Sequence, residues 1–227
     1  MKKEMTIAAS QSALLLVDLQ EEQRHDRLYA VEGLGDVLAN AERLLRTARR
    51  HGLQVLHAAY KRDFAIVPPR PFEPRDDDGR ATFSSIKSPL IEICREVAPA
   101  NGEAVFAKND ASAFSESALE AALRAGKAEW VLIAGVWSEA CVAATVRDAM
   151  AAGFRVLLIK DACGSGTRAM HETAILNLAN RLYGGGVCDT ARAVELMAGG
   201  CAEVWIPPRP APILFTYESA AAFYRSL

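Results

Sequence analysis

The chain of 227 residues has no apolar run approaching the roughly 18 to 20 residues that a membrane-spanning helix needs. It has no excess of charge. Its 26 Lys+Arg stand against 28 Asp+Glu, a net charge of -2, so the basic footprint of a nucleic-acid binder is missing. It has no paired cysteines. Cys94, Cys141, Cys163, Cys188 and Cys201 are odd in number and include no CxxC, which fits neither a disulfide framework nor a cysteine zinc site. A secretory leader is not expected. Glu4 follows Lys2 and Lys3, and the first apolar run, residues 13–17, ends at Asp18. The expectation is a cytoplasmic protein with reduced thiols, a small-molecule partner, and neither nucleic acid nor membrane to bind.

What is present is ordinary for a globular protein, with 51% apolar and 24% charged residues. Short apolar runs alternate with longer helix-like stretches. Residues 13–19, 53–60, 104–107, 130–136, 154–159 and 186–188 read as six strands. Helical periodicity spans residues 36–51, through Val37, Leu38, Ala41, Leu44, Leu45 and Ala48, with Gly52 as the stop. Further helices are expected at 115–125, 138–152 and 168–183, with a short one at 89–97. Strands separated by helices imply βαβ units, and unbroken apolar runs imply a sheet covered on both faces. The expected fold is α/β: a single doubly wound, Rossmann-like, three-layer αβα domain over residues 1–198 with a mostly parallel six-stranded sheet. Residues 199–227, with PPRPAP at 207–212, read as a C-terminal extension. It would pack on its own domain or on a neighbouring subunit.

In open parallel sheets, ligands bind beyond the carboxyl ends of the strands. Asp18 ends the first strand, and a carboxylate in an apolar run is costly unless it is paired or used. Lys108 ends the third, where a lysine is ordinarily a solvated surface residue. Cys141 follows the fourth, in the first turn of the next helix. Helix amides and a nearby lysine would lower its thiol pKa, a carboxylate could take its proton, and free turn N–H groups could hold an oxyanion. A lone cysteine in an apolar helix is otherwise a small packed hydrophobe.

Three segments, LLLVDLQ at 14–20, FAKNDASAFSES at 106–117 and LIAGVWSEACVAATVRDAMAAGFRVLLIKDACGSGT at 132–167, resemble the isochorismatase-like superfamily of cysteine hydrolases, over residues 12–198. The resemblance implies a catalytic triad of Asp18, Lys108 and Cys141. It also implies a cis peptide bond between Val136 and Trp137, with the Trp137 and Cys141 N–H groups as oxyanion hole. The implied activity is hydrolysis of a small amide, N-carbamoyl or ureido C–N bond through a thioester, by a homo-oligomer between dimer and octamer. Gln20, Phe64 and Trp137 are candidate substrate contacts, and Phe64 and Phe83 could form a lid. Arg62, Arg70, Arg75 and Arg80 could capture a substrate carboxylate.

Other readings compete. Vinyl-ether hydrolases of the superfamily typically lack the cysteine, which is present here. Nicotinamidases carry a metal on an aspartate and nearby histidines, whereas here Asp63 is followed by no histidine until His171, so neither cofactor nor metal is expected. A relative that keeps the fold only as an assembly module is a further alternative. Gly164, Gly166 and Ala169 form a G-x-G-x-x-A with Asp189 downstream, a dinucleotide fingerprint in form. It follows the fifth strand rather than the first, and a glycine-permitted turn explains it.

Overall fold

The central strands have no polar face. β2 (Ser12–Val17) and β5 (Trp130–Val136) are buried along their whole length, as apolar runs must be when helices cover both sides of a sheet. In a computed structural model, which describes residues 1–81 and 83–227, these two strands lie at the middle of one sheet. The remaining strands are β1 (Lys2–Met5), β3 (Gln54–Tyr60), β4 (Ala104–Lys108), β6 (Arg155–Gly164), β7 (Gly186–Cys188) and β8 (Ala202–Trp205). The helices are α1 (Glu22–His25), α2 (Leu34–His51), α3 (Ser117–Ala125), α4 (Cys141–Ala151), α5 (Arg168–Ala179), α6 (Thr190–Met197) and α7 (Ala220–Ser226).

The strand order is β1-β8-β7-β6-β5-β2-β3-β4. Pairing is parallel from β7 through to β4, while β8 runs antiparallel to both β1 and β7. Eight strands replace the expected six. The two additions are short: KKEM, at the edge, is largely exposed, and AEVW, between β1 and β7, lies in what reads as a tail. Neither carries an apolar run long enough to announce itself.

Side chains alternate between two cores, as the two-residue period of a strand requires. Leu15, Val17, Ile133 and Leu158 pack with Leu119, Val142, Val146 and Ile175. Leu14, Leu16, Leu132 and Leu157 pack with Leu38, Ala41, Leu45 and Leu196. α2 buries the apolar stripe read from its sequence and stops at Gly52, whose φ is +71°. The expected helix at 89–97 is only a 3-10 turn, Arg95–Val97. Its backbone is drawn instead to the exit of β2, with Gln20 bridging Ile93 and the Cys94 N–H donating to the Leu19 carbonyl at 2.8 Å. Residues 206–227 lie against their own chain. Asn180 exchanges two bonds with the Ile213 backbone at 2.8 Å, and the Tyr224 hydroxyl meets His171 Nε2 at 3.0 Å. Among the described residues, no helix is long and apolar enough to cross a membrane.

The chain winds β2→β3→β4 to one side, then returns through β5 to the other side of β2. The strand order therefore reverses between β2 and β5, and an open α/β sheet leaves a crevice at such a point.

Candidate active site

Asp18 is the first residue past β2, and its backbone sits in the left-handed region at φ +52°. A non-glycine residue there is uncommon, and such strain clusters at functional sites. Lys108 closes β4, in register with Tyr60 of β3. Cys141 opens α4. These three strand ends converge: Lys108 Nζ lies 2.8 Å from Asp18 Oδ2 and 3.3 Å from Cys141 Sγ. Exposure is 1% for Lys108, 3% for Asp18 and 8% for Cys141, so the lysine is a buried ion-pair partner rather than a surface residue. Its ammonium also donates to the carbonyls of Asp110 and Ala111 and lies 4.0 Å from the centre of the Tyr60 ring. A buried ammonium needs such a set of partners.

Among the described residues, neither Asp18 oxygen receives a hydrogen bond of good geometry, although Oδ2 is ion-paired. Burial raises the Asp18 carboxyl above the ordinary carboxylate range, against the pull of Lys108. Burial also raises the Cys141 thiol; Asp18 pushes it further up, and Lys108 pulls it down. This corrects the expectation of a depressed thiol pKa, because desolvation outweighs the lysine. Burial thus disfavours the thiolate, and the sulfur lies beside a carboxyl group with acceptor capacity to spare.

The turn between β5 and α4 faces the same crevice. The Val136–Trp137 peptide bond is cis. Gly135 precedes it with φ +134°, and a Cβ there would sit 2.1 Å from the Val17 carbonyl oxygen, so only glycine fits. Among the described residues, neither the Trp137 nor the Cys141 N–H donates to a loop, turn or cap acceptor, and the first N–H groups of a helix have no partner within it. The Trp137 ring is fixed by its Nε1–H, which donates to Gln23 Oε1 at 2.7 Å. Ser138 Oγ meets His171 Nδ1 at 2.7 Å and the Gly164 carbonyl at 2.9 Å, which ties the turn to α5.

Above the sulfur is a cavity of about 320 Å³ walled by Tyr29, Tyr60, Phe83 and Trp137, with Asp18, Glu22 and Cys141 as polar groups. Phe83 packs between Tyr29 and Tyr60, at 4.8 and 4.9 Å between ring centres. Two expected contacts do not reach this cavity. Gln20 is fully buried and holds the Tyr60 N–H and the Tyr60 and Ile91 carbonyls. Phe64 lies under the Arg62 guanidinium, beside a separate surface depression.

Glu22 and Gln23 are cavity residues that sequence reasoning missed. They stand on the short α1, one helical turn past Asp18, and both are buried. Their signal in the sequence is their place in the first turn after the strand end that carries Asp18.

The other candidate motifs resolve into structure. Gly164 leaves room for Val31 and Val37, Gly166 for the Trp137 ring, and Asp189 caps α6 by accepting from the Arg192 N–H. A Glu21, Cys94 and Glu96 cluster has metal-ligand spacing. Arg24 already sits in it, 3.4 Å from Glu21 and 2.9 Å from Glu96. Cys163, Cys188 and Cys94 are buried, whereas Cys201 is exposed.

A family model described as an isochorismatase domain matches residues 12–192. The chain belongs to the isochorismatase family. A maleamate amidohydrolase from Pseudomonas putida is 32% identical over 49% of this chain and 53% of its own. An N-carbamoylsarcosine amidase from Arthrobacter sp. is 25% identical over 74% of this chain and 64% of its own. The chain thus spans less than two thirds of either relative. An isochorismatase family protein from Desulfovibrio vulgaris superposes with a TM-score of 0.74 at 25% identity, covering 83% of this chain and 98% of that one.

Proposed function

We propose that this isochorismatase-family chain is a cysteine-dependent amidohydrolase of small amide, N-carbamoyl or ureido compounds. The observation that carries the reading is the contact of Cys141 Sγ and Asp18 with one buried ammonium, Lys108, beneath an aromatic cavity. The names of the two amidohydrolase relatives support the substrate class.

Asp18 takes the thiol proton as the Cys141 sulfur forms a bond to the substrate carbonyl carbon. Lys108 holds both groups and offsets the charge passing between them. The Trp137 and Cys141 N–H groups receive the developing oxyanion, where preorganised donors act most strongly. Asp18 then returns the proton to the departing nitrogen, the C–N bond breaks, and a thioester and an amine or ammonia result. Water enters, gives a proton to Asp18 and attacks the thioester. Collapse releases the carboxylic acid, or for a ureido substrate the carbamic acid, and restores the thiol. A base next to a protonated thiol suits the raised Cys141 pKa, since no standing thiolate is needed. A homo-oligomer remains part of the proposal, and exposed Leu214 and Tyr217 offer apolar surface for it.

Ammonia release from a panel of small amides and ureas tests the reading. Cys141→Ala and Cys141→Ser are expected to lose at least about 10³-fold in turnover with an unchanged melting curve. Near-normal release by Cys141→Ala would sink it.

A further inference from the structure

Glu22 is 3% exposed, yet its carboxylate is only half engaged. Oε1 accepts from Ser84 Oγ at 2.6 Å and from Gln23 Nε2 at 3.4 Å. Oε2 accepts nothing among the described residues. A carboxylate has acceptor sites on both oxygens, and an unfilled one beside a cavity is available to a ligand. The bonds to Oε1 hold the side chain in one place, so the open oxygen is preorganised on the wall that Cys141 also lines.

The charge around this cavity is one-sided. Asp18 and Glu22 are its ionisable carboxyl groups, and no Lys, Arg or His lines it among the described residues. The nearby cations are engaged elsewhere. Lys108 lies against Asp18. Arg62 is doubly bonded to Glu73, and Arg70 pairs with Asp110 at 2.8 Å. Both arginines line an adjoining depression that shares Tyr29, Tyr60 and Phe83 with this cavity, and among the described residues the buried Arg62 Nε is left without a partner there. An anionic group entering here would lose water and face two carboxyls, with Lys108 already held by Asp18 and the arginines by Glu73 and Asp110.

We infer that Glu22 sets the substrate specificity of this site. Its Oε2 accepts a hydrogen bond from an N–H group at the non-reacting end of the substrate, so the pocket selects amides or ureas that end in an amide or amine over those that end in a carboxylate. The inference rests on the proposed hydrolysis at Cys141 for which end of the substrate reacts. Burial pushes the Glu22 carboxyl up to about 7, with the Ser84 bond opposing; above that pH the ionised form is the stronger acceptor.

Succinamide and succinamate differ only in having an amide or a carboxylate at the far end. Their binding to full-length Cys141→Ala protein at pH 8.5, by titration calorimetry, tests the inference without turnover. Succinamide is expected to bind at least tenfold tighter than succinamate, and the added substitution Glu22→Gln to bring the ratio within threefold. A succinamate affinity equal to or above that of succinamide overturns the inference, as does a ratio that survives Glu22→Gln or the absence of binding by both. The first ratio needs no Glu22 variant, so a folding defect in that variant leaves the test intact. Ammonia release by the unsubstituted enzyme reports separately on the amidase reading: its loss in Cys141→Ala, alongside a failed ratio, sinks the specificity alone.

Discussion

Glu22 and His171 act on stability in opposite directions over nearly the same pH interval. Burial raises Glu22 from 4.5 to about 7. The folded state then holds this proton more tightly than the unfolded chain. The stability it confers is complete below pH 4.5 and is lost as pH rises through about 7. Burial against α7 lowers His171 from 6.5 to about 4; Glu172 pulls it up, while Arg168 and Lys160 push it down. Here the unfolded chain takes the proton first, so stability is lost as pH falls from 6.5 to about 4. Each effect is on the order of 3 kcal/mol at the far end of its interval. Relative to the unsubstituted protein, Glu22→Gln is expected to gain stability as pH rises from 4.5 to 7, and His171→Gln as pH falls from 6.5 to 4. Urea midpoints across that range check both; curves parallel to the parent would contradict them. At this scale, Asp18, Lys108 and Cys141 stood out as candidates at strand exits, and only the family resemblance joined them into a triad. The direction of the Cys141 pKa was not legible, because sequence shows the lysine but not the desolvation that outweighs it. Glu22 was hidden one turn further on, in a helix of four residues.

The turn joining β5 to α4 does the most positioning. Gly135 lets the chain pass against the Val17 carbonyl, and the next three residues supply a cis bond, the Trp137 ring and the Ser138 link to His171. Gly135→Ala combines a backbone conformation that alanine rarely adopts with a contact that backbone cannot yield. It is expected to cost at least about 3 kcal/mol and to depress ammonia release by misplacing Trp137 and Cys141. A parental urea midpoint would contradict this. Long central strands and α2 were readable from their period. β1 and β8 were not, since strands of four residues with mixed polarity take their structure from partner strands. The expected short helix at 89–97 reduces to Arg95–Val97 because the backbone just before it bonds to Leu19 and Gln20 instead.

Across the whole molecule, the reversal of strand order beside β2 makes three distant residues neighbours. Asp18, Lys108 and Cys141 are brought together by β2, β4 and β5, and the buried strands that carry them are held between two apolar cores. That juxtaposition is a consequence of topology, which the alternation of strands and helices implied before any contact was visible. Under the proposed function, that juxtaposition serves a covalent intermediate on a single sulfur. Acid-quenched peptide mass spectrometry of the enzyme during turnover of a small amide tests this most directly. The acyl fragment is expected on the peptide containing Cys141, and absent from that peptide in Cys141→Ser. An acyl group on another residue, or product accumulating with no protein-bound acyl group at any quench time, would contradict it.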